Sequence, residues 1–230
     1  MIEEITSSIN QIKELTLSNM ETVAFIGAGV FGKQALQIAR VQGKYEPIGF
    51  YDDFCSDSEF EGLPIFGKID QVEKDFNNGK FSHLFIAIGY SHLKFKQDLF
   101  QRFSGIPFAT IVHPSVIIEN TAVIDDGVLI YAGCYLGPNC HMKRGSVINL
   151  MSYLAHDTTV GECTFISGGI NVGGKVNFGE RCFVGIGTTL VDDIEVCDDV
   201  FLGAGTLVVK KITESGTYVG SPARQLREND

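Results

Sequence analysis

The chain has 230 residues, 44% hydrophobic and 20% charged, with a formal net charge of −10. That balance is ordinary for a globular protein with one generous core or two small ones, and the acidic excess argues against nucleic acid or an anionic membrane surface as partner. No basic leader precedes an apolar run and no stretch of 18 apolar residues occurs, so a cytoplasmic protein without a membrane partner is the expectation.

In chain order, Ile2, Ile5, Ile9, Ile12 and Leu15 recur at spacings of three and four. They predict a helix over 2–17, packed on its own domain or offered to a partner. Val23–Ile26 reads as a buried strand that opens directly into Gly27-Ala28-Gly29-Val30-Phe31-Gly32, with a helix over 33–40. A second strand, Ile48–Tyr51, ends at Asp52-Asp53, and 54–67 reads as loop. A helix over 69–76, a strand over 83–88 ending at Gly89, a helix over 91–103 and a strand over 106–111 follow. Strands alternating with helices predict a small Rossmann-like parallel α/β domain over residues 1–111. The GxGxxG loop, with Asp52 twenty residues after Gly32, fits a nucleotide: glycines for close approach, a helix N-terminus for phosphate, an acid for ribose. About 90 residues are short for the six strands of a full dinucleotide fold, which favours a mononucleotide-linked ligand over NAD.

After His113-Pro114 the period becomes six. Every sixth residue from Ile118 to Val208 is a large apolar one, sixteen positions without an insertion. Four places after each, the residue is usually small or β-branched, as at Cys134, Cys140, Ser152, Thr158 and Cys182. Each hexapeptide makes one side of a triangular prism, with the aliphatic on the axis and the small residue beside it. Three make a coil of 18 residues, so residue n stacks on n+18 at roughly 4.8 Å. The expectation for 112–230 is an all-β, left-handed parallel β-helix of five coils with a C-terminal tail, against the usual right-handed crossover rule. The six cysteines form no CxxC pair and no zinc-type spacing with His; Cys134, Cys140 and Cys182 read as reduced core residues, and no metal is expected.

The 18-residue rule turns sequence into geometry. His156 and Gly174 are vertical neighbours on one edge, and Ile186 and Ala204 form a column on another. A His beside a Gly N–H supplies a general base and a donor for a tetrahedral oxyanion, and Asp157 can orient the imidazole. On spacing alone, a surface His on a non-catalytic β-solenoid remains the alternative.

Six motifs now stand in order: Gly27–Gly32, Phe50–Asp53, Phe85–Gly89, Val112–Ser115, Leu154–Asp157 and Val219–Arg224. With them the chain resembles, over roughly 22–226, the bacterial sugar O-acyltransferase family, which includes sialic acid O-acetyltransferases and N-acetyltransferases of nucleotide-linked 4-amino-6-deoxy sugars. The resemblance implies acetyl-CoA as donor, a homotrimer, and active sites between adjacent β-helices. It makes His156 the base, Asp157 its support and Gly174 the oxyanion donor. Gly174, Ile186, Ala204, Gly205, Lys210, Pro222 and Arg224 become the positions for CoA. Gly27, Gly29, Phe31, Asp52, Asp53, Gly89 and Tyr90 become those for the nucleotide-sugar acceptor, with Asp52 on base or ribose. The implied activity is N-acetylation of an amino-deoxy sugar nucleotide in surface polysaccharide or glycan biosynthesis; the alternatives are O-acetylation of a sugar such as a sialic acid, and a non-catalytic nucleotide-binding scaffold. Phe31 and Phe165 stand where the family often has His.

Overall fold

The computed structural model describes residues 20–226, so the helix expected over 2–17 lies outside the described residues. Two units are built, each by the periodicity that its sequence carries.

The first is a five-stranded sheet in the order β3-β4-β2-β1-β5, from β1 (Glu21–Ile26), β2 (Tyr45–Tyr51), β3 (Glu59–Phe60), β4 (Leu63–Gly67) and β5 (His83–Ile86). The pairs β1–β2, β1–β5 and β2–β4 are parallel. Val23–Ile26 and Leu84–Ile86 are fully buried, as a strand covered on both faces requires. Helices α1 (Val30–Gln42), α2 (Val72–Asn77) and α3 (Leu93–Arg102) follow the strands. Two expectations are corrected. Residues 54–67 are not all loop: β3 and β4 form a short antiparallel hairpin through Glu61 and Gly62, both at positive φ, and such short edge strands carry too little apolar alternation to read. Residues 106–111 are not a strand of this sheet: Phe108 makes one bridge to Leu84, while Ile111–Val112 already pairs within the second unit.

The second unit is the left-handed β-helix. Its strands stack in three sheets of six, five and eight. The first face runs from Ile117–Ile118 to Leu207–Val208, the second from Val123–Ile124 to Glu195–Val196. The third starts at Ile111–Val112 and closes with Gly216–Val219 and Arg224–Gln225. Pairing follows the 18-residue rule, as in Leu136↔Leu154 and Leu154↔Val172. Of the sixteen periodic aliphatics, those from Ile130 to Val208 are buried on the axis; Ile118 and Ile124, in the first coil, are partly open. The small positions are buried too, and the hydroxyls of Ser152, Thr158 and Thr164 donate to carbonyls 15 residues on. Cys134, Cys140 and Cys182 are buried free thiols, raised above the ordinary range chiefly by burial.

Corners obey a period of their own. A residue of positive φ recurs every six positions from Gly127 to Gly205, including Asn139, Asp157, Lys175 and Asp193. Gly, Asn and Asp are the residues that tolerate this conformation best.

The α/β unit sits on the third face. Phe31 contacts Phe165 at 5.8 Å between centroids, and Tyr90 contacts Phe165 and Phe183 at 5.6 and 4.5 Å. The Tyr131 hydroxyl donates to Gln34 Oε1, and Arg181 Nη1 donates to Gln97 Oε1. The two positions where the family often has His are therefore one aromatic contact that joins the units. No helix among the described residues is long and apolar enough to cross a membrane.

Candidate active site

His156 lies on the edge between the first and second faces, two places after the inward Leu154. Asp157 occupies the positive-φ corner beside it, at φ 58°. The corner turns the Asp157 carboxylate back onto its neighbour: Oδ2 lies 2.7 Å from His156 Nδ1. Asn139, 18 residues earlier, donates from Nδ2 to Asp157 Oδ1 at 2.9 Å. These bonds, that of His156 first and that of Asn139 second, hold the Asp157 carboxyl below the usual range. With Nδ1–H on Asp157, Nε2 is left as the lone-pair nitrogen, the tautomer a base requires.

Gly174 meets the other side of the ring. A Cβ there would fall 2.5 Å from His156 Nε2 and 2.6 Å from Cε1, so glycine is what lets the imidazole occupy its place. The Gly174 N–H is buried, but it is not unpartnered: it donates to Asp192 Oδ1 at 2.6 Å. Asp192 stands 36 residues after His156 on the same edge. The sequence reading missed it, and missed Asn139, although the 18-residue register contains both.

The donor candidates form two groups. Ile186 and Ala204 adjoin across coils, since Gly205 N–H donates to the Ile186 carbonyl at 2.8 Å. Ile186 is 64% exposed, and this column runs along the edge between the third and first faces. Lys210, Pro222 and Arg224 line a cavity of 420 Å³ near the last coil, beside Tyr218 and a Lys211 whose Nζ pairs with Glu195.

The acceptor candidates gather at the carboxyl ends of β1, β2 and β5. Gly27, Gly29, Phe31, Asp52, Asp53 and Gly89 line one cavity of 680 Å³, with Phe54, His92 and Phe95. Helix α1 points its N-terminus there, from Gly29. Gly27 has φ 108°, and a Cβ on it would strike the Ala87 carbonyl at 2.6 Å. Asp52, expected on base or ribose, is engaged by the protein: Oδ2 accepts Ala28 N–H at 2.7 Å, and Oδ1 accepts the N–H groups of Phe54 and Cys55, both at 2.8 Å. It ties the glycine loop to the next turn. Asp53 Oδ1 accepts Ile69 N–H at 2.9 Å. Tyr90 lies apart from this cavity, on a groove of 210 Å³ with Phe183 and Phe201.

His92 lines the acceptor cavity, and the other three histidines have local partners. His141 Nε2 lies 2.9 Å from Asp125 Oδ1, and His83 Nδ1 lies 3.0 Å from Ser82 Oγ. His113 accepts the Ser115 N–H in the turn at the junction. No group of three His, Cys, Asp or Glu suited to a metal occurs among the described residues.

The molecule thus joins a hexapeptide prism, with an oriented His–Asp pair on one edge, to a small nucleotide-type sheet on the opposite face, which is the architecture expected of a left-handed β-helix acyltransferase. Residues 22–103 match the PglD N-terminal domain family. The chain is 23% identical over 226 residues to GDP-perosamine N-acetyltransferase of Escherichia coli O157:H7, covering 91% of this chain and 98% of that one. The acetyltransferase domain of PglB from Neisseria gonorrhoeae superposes with a TM-score of 0.83 at 25% identity, over 90% of this chain and 100% of that one. PerB from Caulobacter crescentus, solved in complex with CoA and GDP-perosamine, also gives 0.83 at 25% identity, over 90% and 97%. Over most of its length, then, the chain is similar in sequence and in fold to sugar acetyltransferases that carry a hexapeptide-repeat β-helix.

Proposed function

We propose that the protein transfers the acetyl group of acetyl-CoA to the amino group of a nucleotide-linked amino-deoxy sugar, with His156 as general base. The observation that carries the mechanism is the imidazole fixed between Asp157 and Gly174. The acceptor nitrogen attacks the thioester carbonyl while His156 Nε2 takes its proton. Asp157 steadies the imidazolium. The Gly174 N–H supports the oxyanion, and the carbon–sulfur bond breaks. The imidazolium returns the proton to the leaving sulfur, giving CoA thiol and a sugar amide. The two relatives whose printed names carry GDP-perosamine favour an amine acceptor over a hydroxyl, and a role in surface polysaccharide or glycan synthesis follows from that class of substrate.

We further propose that the active unit is a homotrimer with sites between neighbouring copies. Within one chain the acceptor cavity is carried on the third face, while His156 lies on the opposite edge of the prism. The Ile186–Ala204 column lies on yet another edge. A cleft between two β-helices would bring one copy's edge to another's acceptor cavity. CoA would run along Ile186, Ala204 and Gly205 towards Lys210, Pro222 and Arg224, whose cations suit its phosphates.

The test is steady-state thiol release from acetyl-CoA with a panel of GDP-, UDP- and dTDP-linked amino sugars and with free sialic acid. Turnover with an amino-sugar nucleotide at least tenfold above that with sialic acid is expected. Preference for the free hydroxyl sugar would move the function to O-acetylation, and no thiol release with any acceptor would leave a non-catalytic scaffold.

A further inference from the structure

The Gly174 N–H carries one proton, and in this chain two acceptors claim it. In the structure it goes to Asp192 Oδ1 at 2.6 Å. Asp192 is exposed, and its carboxylate has no other hydrogen-bond partner among the described residues. The coil that carries it presses closely on the glycines below: a Cβ on Gly173 would fall 2.6 Å from Asp192 Oδ1 and 2.7 Å from its backbone nitrogen. With no competing acceptor this bond is favourable, because a buried N–H needs a partner. During acyl transfer it is adverse. A carboxylate beside a developing oxyanion repels it, and an N–H aimed at one acceptor is lost to the other.

We propose that Asp192 is a positioning residue that caps the Gly174 amide before the donor binds and is displaced by the thioester carbonyl of the acyl-CoA. Donor binding then exposes the oxyanion donor, so the charge-stabilising N–H is uncovered only when there is an acyl group to receive it. The inference rests on the reading of Gly174 given above.

The prism supplies its own control. Glu180 N–H donates to Asp198 Oδ1 at 2.8 Å, the same 18-residue cap, on the edge between the second and third faces. Neutral versions cap Gly133 with Ser115 and Asn139 with Thr121. Capping as such is therefore a structural habit of the corners; what sets Asp192 apart is that the glycine it caps packs against the base, whereas Asp198 lies 3.6 Å from Arg181.

The experiment compares thiol-release kinetics of the full chain with Asp192→Ala, Asp192→Asn and Asp198→Ala. Asp192→Ala is expected to lower the acetyl-CoA KM about threefold to tenfold, the scale of one charge-assisted hydrogen bond removed at an exposed group, without loss of kcat. Asp192→Asn, which keeps the shape and loses the charge, should fall between and serves if the alanine variant folds poorly. Asp198→Ala, which removes a cap far from the base, should leave KM unchanged. An unchanged or raised KM in both Asp192 variants, or an equal shift in Asp198→Ala, overturns the inference. These failures arise in an active enzyme; absence of thiol release by the wild-type chain would instead overturn the function proposed above.

Discussion

Gly174→Ala is the substitution whose effect the structure measures out most directly. Gly174 is not at positive φ, so alanine is allowed by its backbone and the coil should form. The added methyl would stand 2.5 Å from His156 Nε2, whereas carbon makes its ordinary contacts at about 3.5 Å. The ring must therefore retreat by about 1 Å from Gly174, whose N–H is proposed to hold the acyl carbonyl. A misplacement of about 1 Å at a catalytic group costs on the order of 10²-fold in rate, which is about 2.7 kcal/mol of barrier. The assay is kcat/KM by thiol release, with the melting temperature followed alongside. A fall of about two powers of ten with a melting temperature within a few degrees of wild type is expected. Wild-type kcat/KM in Gly174→Ala would refute the packing of ring on glycine as the determinant of the site.

Three further outcomes follow from the same geometry. Asp157→Asn should keep the corner, since Asn tolerates positive φ, yet reduce kcat at least tenfold by favouring the wrong imidazole tautomer, read by thiol release at neutral pH where the lowered Asp157 carboxyl is fully ionised in the wild type. Arg181→Ala removes bonds to Glu180, Asp199 and Gln97 and should destabilise by about 1–3 kcal/mol, or a melting shift of about 5 °C, by freeing α3 from the prism. Lys96 is fully buried, its Nζ has no hydrogen-bond partner among the described residues, and burial pushes it down to about 8. The charged form is penalised in the fold, so stability should rise with pH between about 8 and its ordinary value of 10.5, and Lys96→Met should be more stable at pH 7 by on the order of 3 kcal/mol in denaturant unfolding and lose that rise.

Much of this was legible because the prism repeats. Leu154 points inward for the same reason as Leu136 and Val172, and from that register His156 and Gly174 had to be neighbours. The same register puts Asn139 beside Asp157 and Asp192 above Gly174, but an Asn and an Asp on a solvent-facing corner look like ordinary turn residues until their partners are seen. The hairpin at 59–67 was hidden for another reason: short edge strands carry almost no periodic signal, and β4 is fixed by pairing with β2. The employment of Asp52 could not be read at all. A carboxylate at a strand end suits a ribose and an amide cluster equally, and only the fold of 28 and 53–55 around it decided between them. Phe31 and Phe165 are 134 residues apart in sequence, so their contact is a property of how the two units dock.

The most direct test of the central claim is turnover by His156→Ala, with CoA binding by calorimetry and the melting temperature taken on the same sample. A loss of several powers of ten in thiol release, with CoA affinity and melting temperature near wild type, is the predicted result. Near-normal turnover in that variant would contradict it, and would place the base on another residue.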